Sequence, residues 1–403
     1  MRTKYILLTL LFIAAGCTSG EEKISRKADK LHKDFLSVDT HCDTPMRLYR
    51  GGFDLGVRND KGAIDFPRMK EGGLDAEFFA IFIGQGPRNP EAFDREHNMT
   101  LAAFDSLKRS VGRYPEMAGI ALTPDDAYRL KSEGKLSIFI GIENGYPVGT
   151  DLSRIRQYYD LGARYITLCH SSNNDICDSS TDKSGPEHNG LSAFGEEVVR
   201  EMNRVGMMVD VSHISDESFY DVLKISAAPV IASHSSCRAL CESPRNLNDE
   251  MLQALKKNGG VIQICILSDY LKQPEPNPEY EAKRAELRAK WRDISYQDLT
   301  EAQQEQRWNE LTELKRQYVK LATVADAVNH IQHVVDVIGI DYVGIGSDFD
   351  GGGGIEGCTD VSMMKNITKE LLRRGYRRDE IAKIWGGNFM RVMREAQATA
   401  NTQ

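Results

Sequence analysis

The chain has 403 residues, with 51 lysine and arginine residues against 59 aspartate and glutamate residues, and therefore carries a net charge of −8. This balance, with no basic stripe along the sequence, argues against nucleic acid as a partner, because phosphates require clustered cations. The length is large for an ordinary domain but suits an α/β barrel, which often exceeds about 250 residues as a single unit.

The N-terminus has the pattern of an export signal. A basic start precedes an apolar stretch from residue 5 to residue 15, which is too short to span a bilayer and fits a secretory signal. The small residues before Cys17 resemble a bacterial lipobox, in which the cysteine receives lipid, although Ala14 stands where leucine is usual. We expect residues 1–17 to be a signal peptide. The protein would then be exported and lipid-anchored at Cys17 to a bacterial membrane, facing the periplasm or the cell surface; an ordinary signal peptide is the alternative.

The segment after Cys17 is polar, and we expect residues 18–30 to form a tether outside the fold. Cys17 is one of eight cysteines, which leaves an odd number in an exported protein and predicts at least one free thiol. The spacing of the cysteines assigns no disulfide.

Eight short apolar runs rich in valine, isoleucine and phenylalanine alternate with amphipathic stretches along the rest of the chain. The runs cover residues 36–43, 75–84, 136–145, 163–172, 206–213, 228–235, 259–266 and 341–351. Stretches such as 152–162 have apolar positions at helical spacing and end in glycine, a helix C-cap signal. This alternation predicts an α/β fold of the (β/α)8 TIM-barrel type, with residues 31–403 as one domain. A doubly wound open sheet is the alternative, and no G-x-G-x-x-G motif supports a dinucleotide-binding version of it.

Chemically active side chains stand at the ends of most of these runs. The residues are His41, Asp43, Glu143, His170, His213, His234 and Asp348. In a (β/α)8 barrel the C-terminal strand ends surround one mouth, where such barrels place their active sites. Four of the nine histidines occupy this kind of position, whereas histidines of the core would be scattered. The sequence therefore predicts one polar site at the mouth of the barrel.

The composition of this set points to metal ions. Imidazole nitrogens and carboxylate oxygens suit zinc, and a catalytic zinc site keeps one position open for water. Five ligands are too many for one open tetrahedral site but suit two ions if one carboxylate bridges them: His41, Asp43, Glu143, His213 and His234. Glu143, on the third run and between the others, is the natural bridge. Such paired ions lower the pKa of bound water toward about 7.

With these residues in hand, the chain resembles the membrane (renal-type) dipeptidase family, peptidase family M19, over residues 36–394. The likeness is carried by "VDTHCD", "GIENG", "RYITLCHSSNN", "GLSAFGEEVVREMNRVGMMVDVSHIS", "SHSSCRALCESPRN", "VGIGSDFDG" and "IWGGNFMRV", which follow one another in the family's order. The resemblance implies a zinc-dependent dipeptidase that hydrolyses L,L and some L,D dipeptides. The attacking group would be a hydroxide that bridges two zinc ions.

The resemblance also implies individual roles. One zinc would be held by His41 and Asp43, the other by His213 and His234, with Glu143 as the bridge. Three more residues would serve the substrate. His170 would contact it and polarise the scissile carbonyl, Asp348 would handle protons, and Arg245 would bind the substrate's free carboxylate.

The sequence departs from the family pattern in two places. The bridging glutamate is followed by Asn144-Gly145-Tyr146 where Gly-Gly is usual, which puts substrate specificity in doubt. The segment 272–319 is long and highly charged for a barrel connection. We expect it to be a solvated helical excursion, and the alternative is a lid over the mouth or a homodimer contact.

Two other function classes remain open. One is a different dinuclear barrel metallohydrolase that acts on cyclic amides, lactones or other esters such as phosphotriesters. Many such enzymes hold their metals with a carboxylated lysine on the fourth strand, and here that run ends in His170 with no lysine. The other is a non-catalytic binding lipoprotein, against which the complete ligand set argues.

Overall fold

A computed structural model describes residues 20–292, 294 and 299–400. Eight parallel strands follow one another around a barrel in the order β1-β2-β4-β5-β6-β7-β8-β9. Their bounds are Val38–Cys42, Ala76–Phe82, Leu136–Glu143, Ala163–Thr167, Met208–Asp210, Ile231–Ser235, Val261–Cys265 and Val343–Gly346. Each lies inside one of the eight predicted runs, so the predicted (β/α)8 barrel is confirmed.

Contacts just beyond the ends of β1 and β9 close the barrel. Cys42 and Phe349 form a parallel bridge. The Asp43 amide donates to the Phe349 carbonyl at 2.9 Å, and the Asp348 amide donates to the His41 carbonyl at 3.0 Å. These bonds rule out an open doubly wound sheet, and they bring the two strand ends that carry His41, Asp43 and Asp348 side by side.

A ninth strand, β3 (Ala118–Ile120), was not predicted from the sequence. It pairs in parallel with β4 alone and lies outside the barrel path. Three residues are too few to show strand alternation, so the sequence carried no usable signal for this strand.

Helices separate the strands and wrap the barrel. The first, α1, covers residues 20–34. The others run from α2 to α16 with the bounds Thr44–Arg50, Phe66–Gly72, Pro90–Gly112, Pro124–Ser132, Ser153–Asp160, Ala193–Val205, Asp216–Ile225, Asp249–Asn258, Ser268–Leu271, Pro278–Lys290, Glu301–Tyr318, Val324–Ile338, Lys365–Arg373, Arg378–Ala382 and Asn388–Thr399. Many begin at a polar side chain that accepts a backbone N–H, as Asn89, Thr123 and Ser192 do. Such caps satisfy amides that have no partner within the helix.

Aromatic residues fill the barrel interior near the start of the strands. The Phe78 and Phe139 rings stack with centroids 4.5 Å apart, and Phe389 of α16 packs edge-on against Phe78 at 5.0 Å. All three side chains are fully buried. The apolar material thus lies at the end opposite the mouth, and the polar strand ends are left to form a site.

The prediction of a tether over residues 18–30 is wrong for residues 20–30. These residues belong to α1, in which Ala28 is fully buried and Leu31 is 4% exposed. Asp29 pairs with Lys365 at 2.8 Å, so α1 is fixed to α14. The apolar face of this helix is narrow, and the charges around it gave the segment the appearance of a linker. Residues 1–17, with the lipidation residue Cys17, lie outside the described residues, within which no helix is long and apolar enough to cross a membrane.

The predicted excursion over residues 272–319 is helical. It contains α11 and α12, which pack against each other. Trp291 is 7% exposed, and its indole N–H donates to a Glu310 oxygen at 3.2 Å. Lys315 pairs with Asp269 at 2.9 Å, which connects α12 to the start of α10. The segment is therefore packed on the body of the protein, rather than standing free in solvent.

Candidate metal centre

The structure brings all seven predicted strand-end residues together at the mouth of the barrel. His41 and His234 lie within β1 and β7, Glu143 is the last residue of β4, and the others follow the ends of their strands: Asp43, His170, His213 and Asp348. Most are buried; His170 is the most exposed, with 28% of its side chain accessible. The prediction of a single polar site is therefore consistent with where the strands place these side chains.

The Glu143 carboxylate is the centre of the cluster. One of its oxygens lies 2.9 Å from His213 Nε2, 3.5 Å from His234 Nε2 and 3.8 Å from His170 Nε2. The other oxygen lies 3.6 Å from His41 Nε2. Because its two oxygens face different histidines, this carboxylate has the geometry that a bridging ligand needs.

The donor atoms fit metal ions. Three overlapping groups each have their ligand atoms within 4.8 Å of one another: His41, Glu143 and His234; Glu143, His170 and His213; His41, Asp43 and Asp348. His41 Nε2 is buried without a hydrogen-bond partner, and the Nε2 atoms of His213 and His234 face each other at 2.8 Å. Two neutral imidazole nitrogens that face each other can share only one proton, whereas a divalent cation between them would be bound by both nitrogens and by the carboxylate.

Burial sets the charge state of two of these histidines. It lowers the pKa of His234 to about 3, and it lowers the pKa of His213 well below the usual range, where Arg245 adds to the effect. Both imidazoles are therefore neutral near pH 7, the form that binds metal. Burial alone would raise the pKa of Glu143, but the surrounding histidines, His41 first, hold it well below its usual value.

Asp348 differs from the other carboxylates at the site. Burial raises its pKa well above the usual range, and the neighbouring Asp43 carboxylate raises it further. A carboxyl group whose pKa is raised in this way is suited to general acid–base work. Its backbone φ of 59° is in the left-handed region, as is that of His213 at 73°. Non-glycine residues adopt such angles mainly where the surrounding structure enforces them, often at functional sites.

Hydrogen bonds behind the cluster orient two of the rings. The Ser233 hydroxyl lies 2.8 Å from His234 Nδ1 and donates to an Asp210 oxygen at 2.6 Å. The Tyr165 hydroxyl lies 2.9 Å from His41 Nδ1. Each contact occupies Nδ1 and directs Nε2 toward Glu143, the arrangement by which outer groups fix metal-binding histidines. Sequence analysis missed Tyr165 and Ser233, because strand alternation does not show which polar side chains meet inside a barrel.

Arg245, whose role only the family resemblance suggested, is a buried cation beside the cluster. It is 4% exposed, and its guanidinium lies 5.2 Å from the centre of the Tyr270 ring. Nη2 donates to the His234 carbonyl at 3.1 Å, but Nε and Nη1 have no partner among the described residues. A desolvated guanidinium with two vacant donors is a site for an anion, and a carboxylate matches its planar geometry.

The two residues that depart from the family motif brace a loop. The Asn144 side chain donates to the Ile83 carbonyl at 2.9 Å and accepts from the Tyr146 amide at 3.2 Å. Tyr146 is 2% exposed, and its hydroxyl donates to the Pro87 carbonyl. Both side chains therefore connect the loop after β4 to the loop after β2. Asn144 also donates to the Gln85 side chain at 3.3 Å and accepts from the Asn174 side chain at 3.1 Å.

Comparisons with known proteins agree with this geometry. The family model for membrane dipeptidases, peptidase family M19, matches residues 25–403. Dipeptidase aclJ of Aspergillus oryzae is 33% identical over 379 residues, which cover 92% of this chain and 78% of that protein. Dipeptidase 3 of Rattus norvegicus is 31% identical over 386 residues, which cover 94% of this chain and 68% of that protein.

Among solved structures, the probable dipeptidase PvdM of Pseudomonas aeruginosa superposes with a TM-score of 0.82 at 33% identity. The superposition covers 94% of this chain and 100% of that structure. The chain belongs to peptidase family M19, the family of metal-dependent membrane dipeptidases.

Proposed function

We propose that the protein is a zinc-dependent dipeptidase that binds two zinc ions per chain, with Glu143 as the bridging ligand. The observation that carries this proposal is the position of the Glu143 carboxylate, which lies within 3.8 Å of four histidine Nε2 atoms. His41 and Asp43 would hold one ion, and His213 and His234 the other. A pair of zinc ions at such a site supplies a water of lowered pKa and polarises a carbonyl group.

The residues around the donor set would divide the remaining work. Arg245 would grip the terminal carboxylate of the substrate through its two vacant N–H groups. His170, partly exposed and held edge-on against Phe82 with centroids 4.8 Å apart, would donate a hydrogen bond to the scissile carbonyl oxygen. Asp348 would accept the proton of the attacking water and deliver it to the leaving amine.

This division of roles limits the length of the substrate. If Arg245 holds the carboxylate and the donor cluster holds the neighbouring peptide carbonyl, the two anchors are one residue apart. The site then admits dipeptides, and the N-terminal bond of a tripeptide lies too far from its carboxylate. Because recognition rests on the carboxylate, L,L dipeptides and some L,D dipeptides would both be substrates.

Metal removal and substrate length together test the proposal. Chelated protein should lose activity on Ala-Ala and regain it with two equivalents of zinc, and Ala-Ala-Ala and Ala-Ala-amide should be poor substrates throughout. Full activity in metal-free protein, or comparable rates on all three peptides, would contradict the proposal. Hydrolysis of a cyclic amide or a lactone in place of Ala-Ala would support the other metallohydrolase class.

Asp348→Asn separates proton handling from metal binding. The variant should lose several orders of magnitude in kcat while its zinc content stays near that of the wild type, because a proton carrier is not needed to hold metal. A metal-free Asp348→Asn protein would show that Asp348 is a ligand.

We also propose that the protein is exported and carries lipid on Cys17. The support is the apolar signal-like stretch followed by small residues and a cysteine. Metabolic labelling of the native host with a clickable fatty acid should mark the wild-type protein and leave Cys17→Ser unmarked. An unlabelled wild-type protein would leave the ordinary signal peptide as the explanation.

A further inference from the structure

The charged side chains of helix α1 are sorted by sign around the helix axis. The helix packs on the body of the protein through a face on which Ala28, Leu31 and His32 are at most 4% exposed. All lysine and arginine side chains of α1 are exposed, and they recur every three or four residues: Lys23, Arg26, Lys27, Lys30 and Lys33. Residues at this spacing share one side of a helix, so α1 presents a basic face to solvent.

The acidic side chains of α1 are all paired, most of them with the neighbouring helices α14 and α15. The pairs are Glu21 with Arg373 at 2.6 Å, Asp29 with Lys365 at 2.8 Å, Asp34 with Arg378 at 3.3 Å and Glu22 with Arg26. The packing of α1 on the domain therefore uses its negative charges and leaves most of its positive charges at the surface.

The remaining lysines of α1 have no carboxylate within ion-pair distance among the described residues. We call them the lysine row: Lys23, Lys27, Lys30 and Lys33. One lysine stands on each successive turn, and at a rise of about 1.5 Å per residue the row extends over about 15 Å of the helix. Because each of these side chains is exposed, the row is a solvated ridge of positive charge.

The sequence does not show the lysine row as a run of basic residues, because acidic residues are interspersed with the lysines. Folding separates the two signs, since α14 and α15 pair with most of the acidic residues. One side of the domain is thus basic in a chain whose net charge is −8. A convex, exposed row of lysines suits a flat anionic surface, with which every lysine can interact at once.

We propose that the lysine row binds the anionic phospholipid headgroups of the membrane that carries the protein. The row begins six residues after Cys17, so a lipid on that cysteine would place α1 beside a bilayer. A lipid fixes one end of the chain, whereas the row would also fix which side of the domain faces the membrane. The apolar face of α1 is already packed on the protein, so the contact is electrostatic and inserts no side chain into the bilayer.

The inference rests on the proposed attachment at Cys17 for its setting, but the binding is a property of α1 and can be tested without lipid. The chain from residue 18 onward has no signal stretch and keeps every residue that the structure describes. It should sediment with vesicles of mixed phosphatidylglycerol and phosphatidylcholine and should not sediment with phosphatidylcholine alone. Because salt screens exposed charges, rising ionic strength should release it.

Replacing lysines of the row by glutamine tests whether α1 makes the contact. Each lysine at an anionic surface strengthens binding by about fivefold. A triple variant should therefore bind the mixed vesicles at least about tenfold more weakly: Lys23→Gln, Lys27→Gln and Lys30→Gln. Its urea unfolding curve should match that of the wild type, since these side chains have no partner in the described protein to lose.

The matched control replaces exposed lysines outside α1 that also have no ion-pair partner among the described residues: Lys183→Gln, Lys257→Gln and Lys320→Gln. It changes the net charge by the same amount and should keep the wild-type affinity for the mixed vesicles. No binding by the wild type, or an equal loss in the two triple variants, would overturn the inference, because the lysine row would then make no special contribution.

Two further measurements separate the inference from its neighbours. Stronger binding to polyglutamate than to the vesicles, lost in the row variant, would overturn the inference and indicate an acidic protein as the partner. Fatty-acid labelling tests Cys17 on its own. Row-dependent vesicle binding by a protein that is never labelled would overturn the lipid attachment and support the inference.

Discussion

Histidines lie in two regions of this molecule, the mouth of the barrel and the layer of helices around it. At the mouth, His41 and His234 are buried with their Nε2 atoms directed at Glu143, and His41 Nε2 has no hydrogen-bond partner. In the helical layer, His32 of α1 and His330 of α13 are 4% and 1% exposed. Burial is therefore nearly the same in both regions.

The two regions differ in what the ring nitrogens contact. His330 Nδ1 accepts from the Cys237 amide at 3.0 Å, and its Nε2 donates to the Leu271 carbonyl at 3.0 Å. His32 is also satisfied at both nitrogens, by Gly73 and Thr368. His41 instead leaves its Nε2 vacant, and His213 and His234 direct theirs at each other, as ligands of a shared ion would. The partners of the nitrogens, rather than burial, distinguish the two.

Glu143→Gln should have the largest effect of any change in either region. It should reduce kcat on Ala-Ala by several orders of magnitude and also lower the zinc content, because one carboxylate would serve both ions. Elemental analysis and initial rates on the same preparation measure both effects. Glu196→Gln, at an exposed carboxylate of α7, is the control and should retain zinc and activity. A fully loaded and active Glu143→Gln enzyme would contradict the bridging role.

Arg245→Ala tests whether the unpaired guanidinium nitrogens of Arg245 bind the substrate. We expect a loss of roughly 2–5 kcal/mol in kcat/KM, as for removal of one partner of a desolvated charge pair. Arg245→Lys should recover part of it, since an ammonium keeps the charge without the planar fork. The free energy of unfolding without substrate should fall little in either variant, because two of the guanidinium nitrogens have no protein partner to lose. A stability loss as large as the kinetic one would indicate a structural role.

His330→Ala should lower stability and leave catalysis unchanged, the reverse of what we expect for Arg245→Ala. It leaves the Cys237 amide and the Leu271 carbonyl buried without partners, at a cost of about 1–3 kcal/mol for each group. Urea unfolding should therefore report a clear loss of stability, and zinc content and the KM for Ala-Ala should not change. If His330→Ala lost metal instead, the distinction between the two regions would fail.

The smallest expected effect is the pH dependence of the free energy of unfolding that His330 causes. Burial lowers the pKa of His330 from its ordinary value of 6.5 to about 4. Between pH 4 and pH 6.5 the unfolded chain binds more protons at this residue than the native protein does. The stability that His330 contributes is therefore complete above pH 6.5 and is lost as pH falls toward 4. Between pH 6.5 and 5 this amounts to roughly 2 kcal/mol at most. The difference in unfolding free energy between wild type and His330→Gln should narrow over this range, and a constant difference would exclude a neutral native histidine.

Much of the fold could be predicted from the sequence because the barrel repeats one unit, a strand followed by a helix. Each strand is a run of buried residues, and six of the eight runs carry a histidine or an acidic residue of the site at their end. The pattern therefore predicted all eight strands and, because strand ends meet at one mouth, the members of the donor cluster. The five histidines outside this pattern lie on helices or loops, and two of them, His32 and His330, are core residues with a partner at each ring nitrogen.

Contacts between distant segments could not be predicted from the sequence. The relay from Asp210 through Ser233 to His234 and the vacant donors of Arg245 both depend on which side chains meet in three dimensions. Helix α1 was missed for a related reason. Its burial depends on α14, more than 300 residues later in the chain, and its own sequence is mostly charged.

The early start of α1 has a consequence for any attachment at Cys17. The helix is already formed at residue 20, and an extended chain spans at most about 3.6 Å per residue, so a lipid on Cys17 would hold α1 within roughly 11 Å of the bilayer surface. Because α1 is joined to α14, the catalytic domain would be held next to the bilayer by this short connection. Such an enzyme would have no long flexible linker between its lipid and its catalytic domain. It would cleave peptides that reach the membrane surface, including those that diffuse there from the surrounding solution.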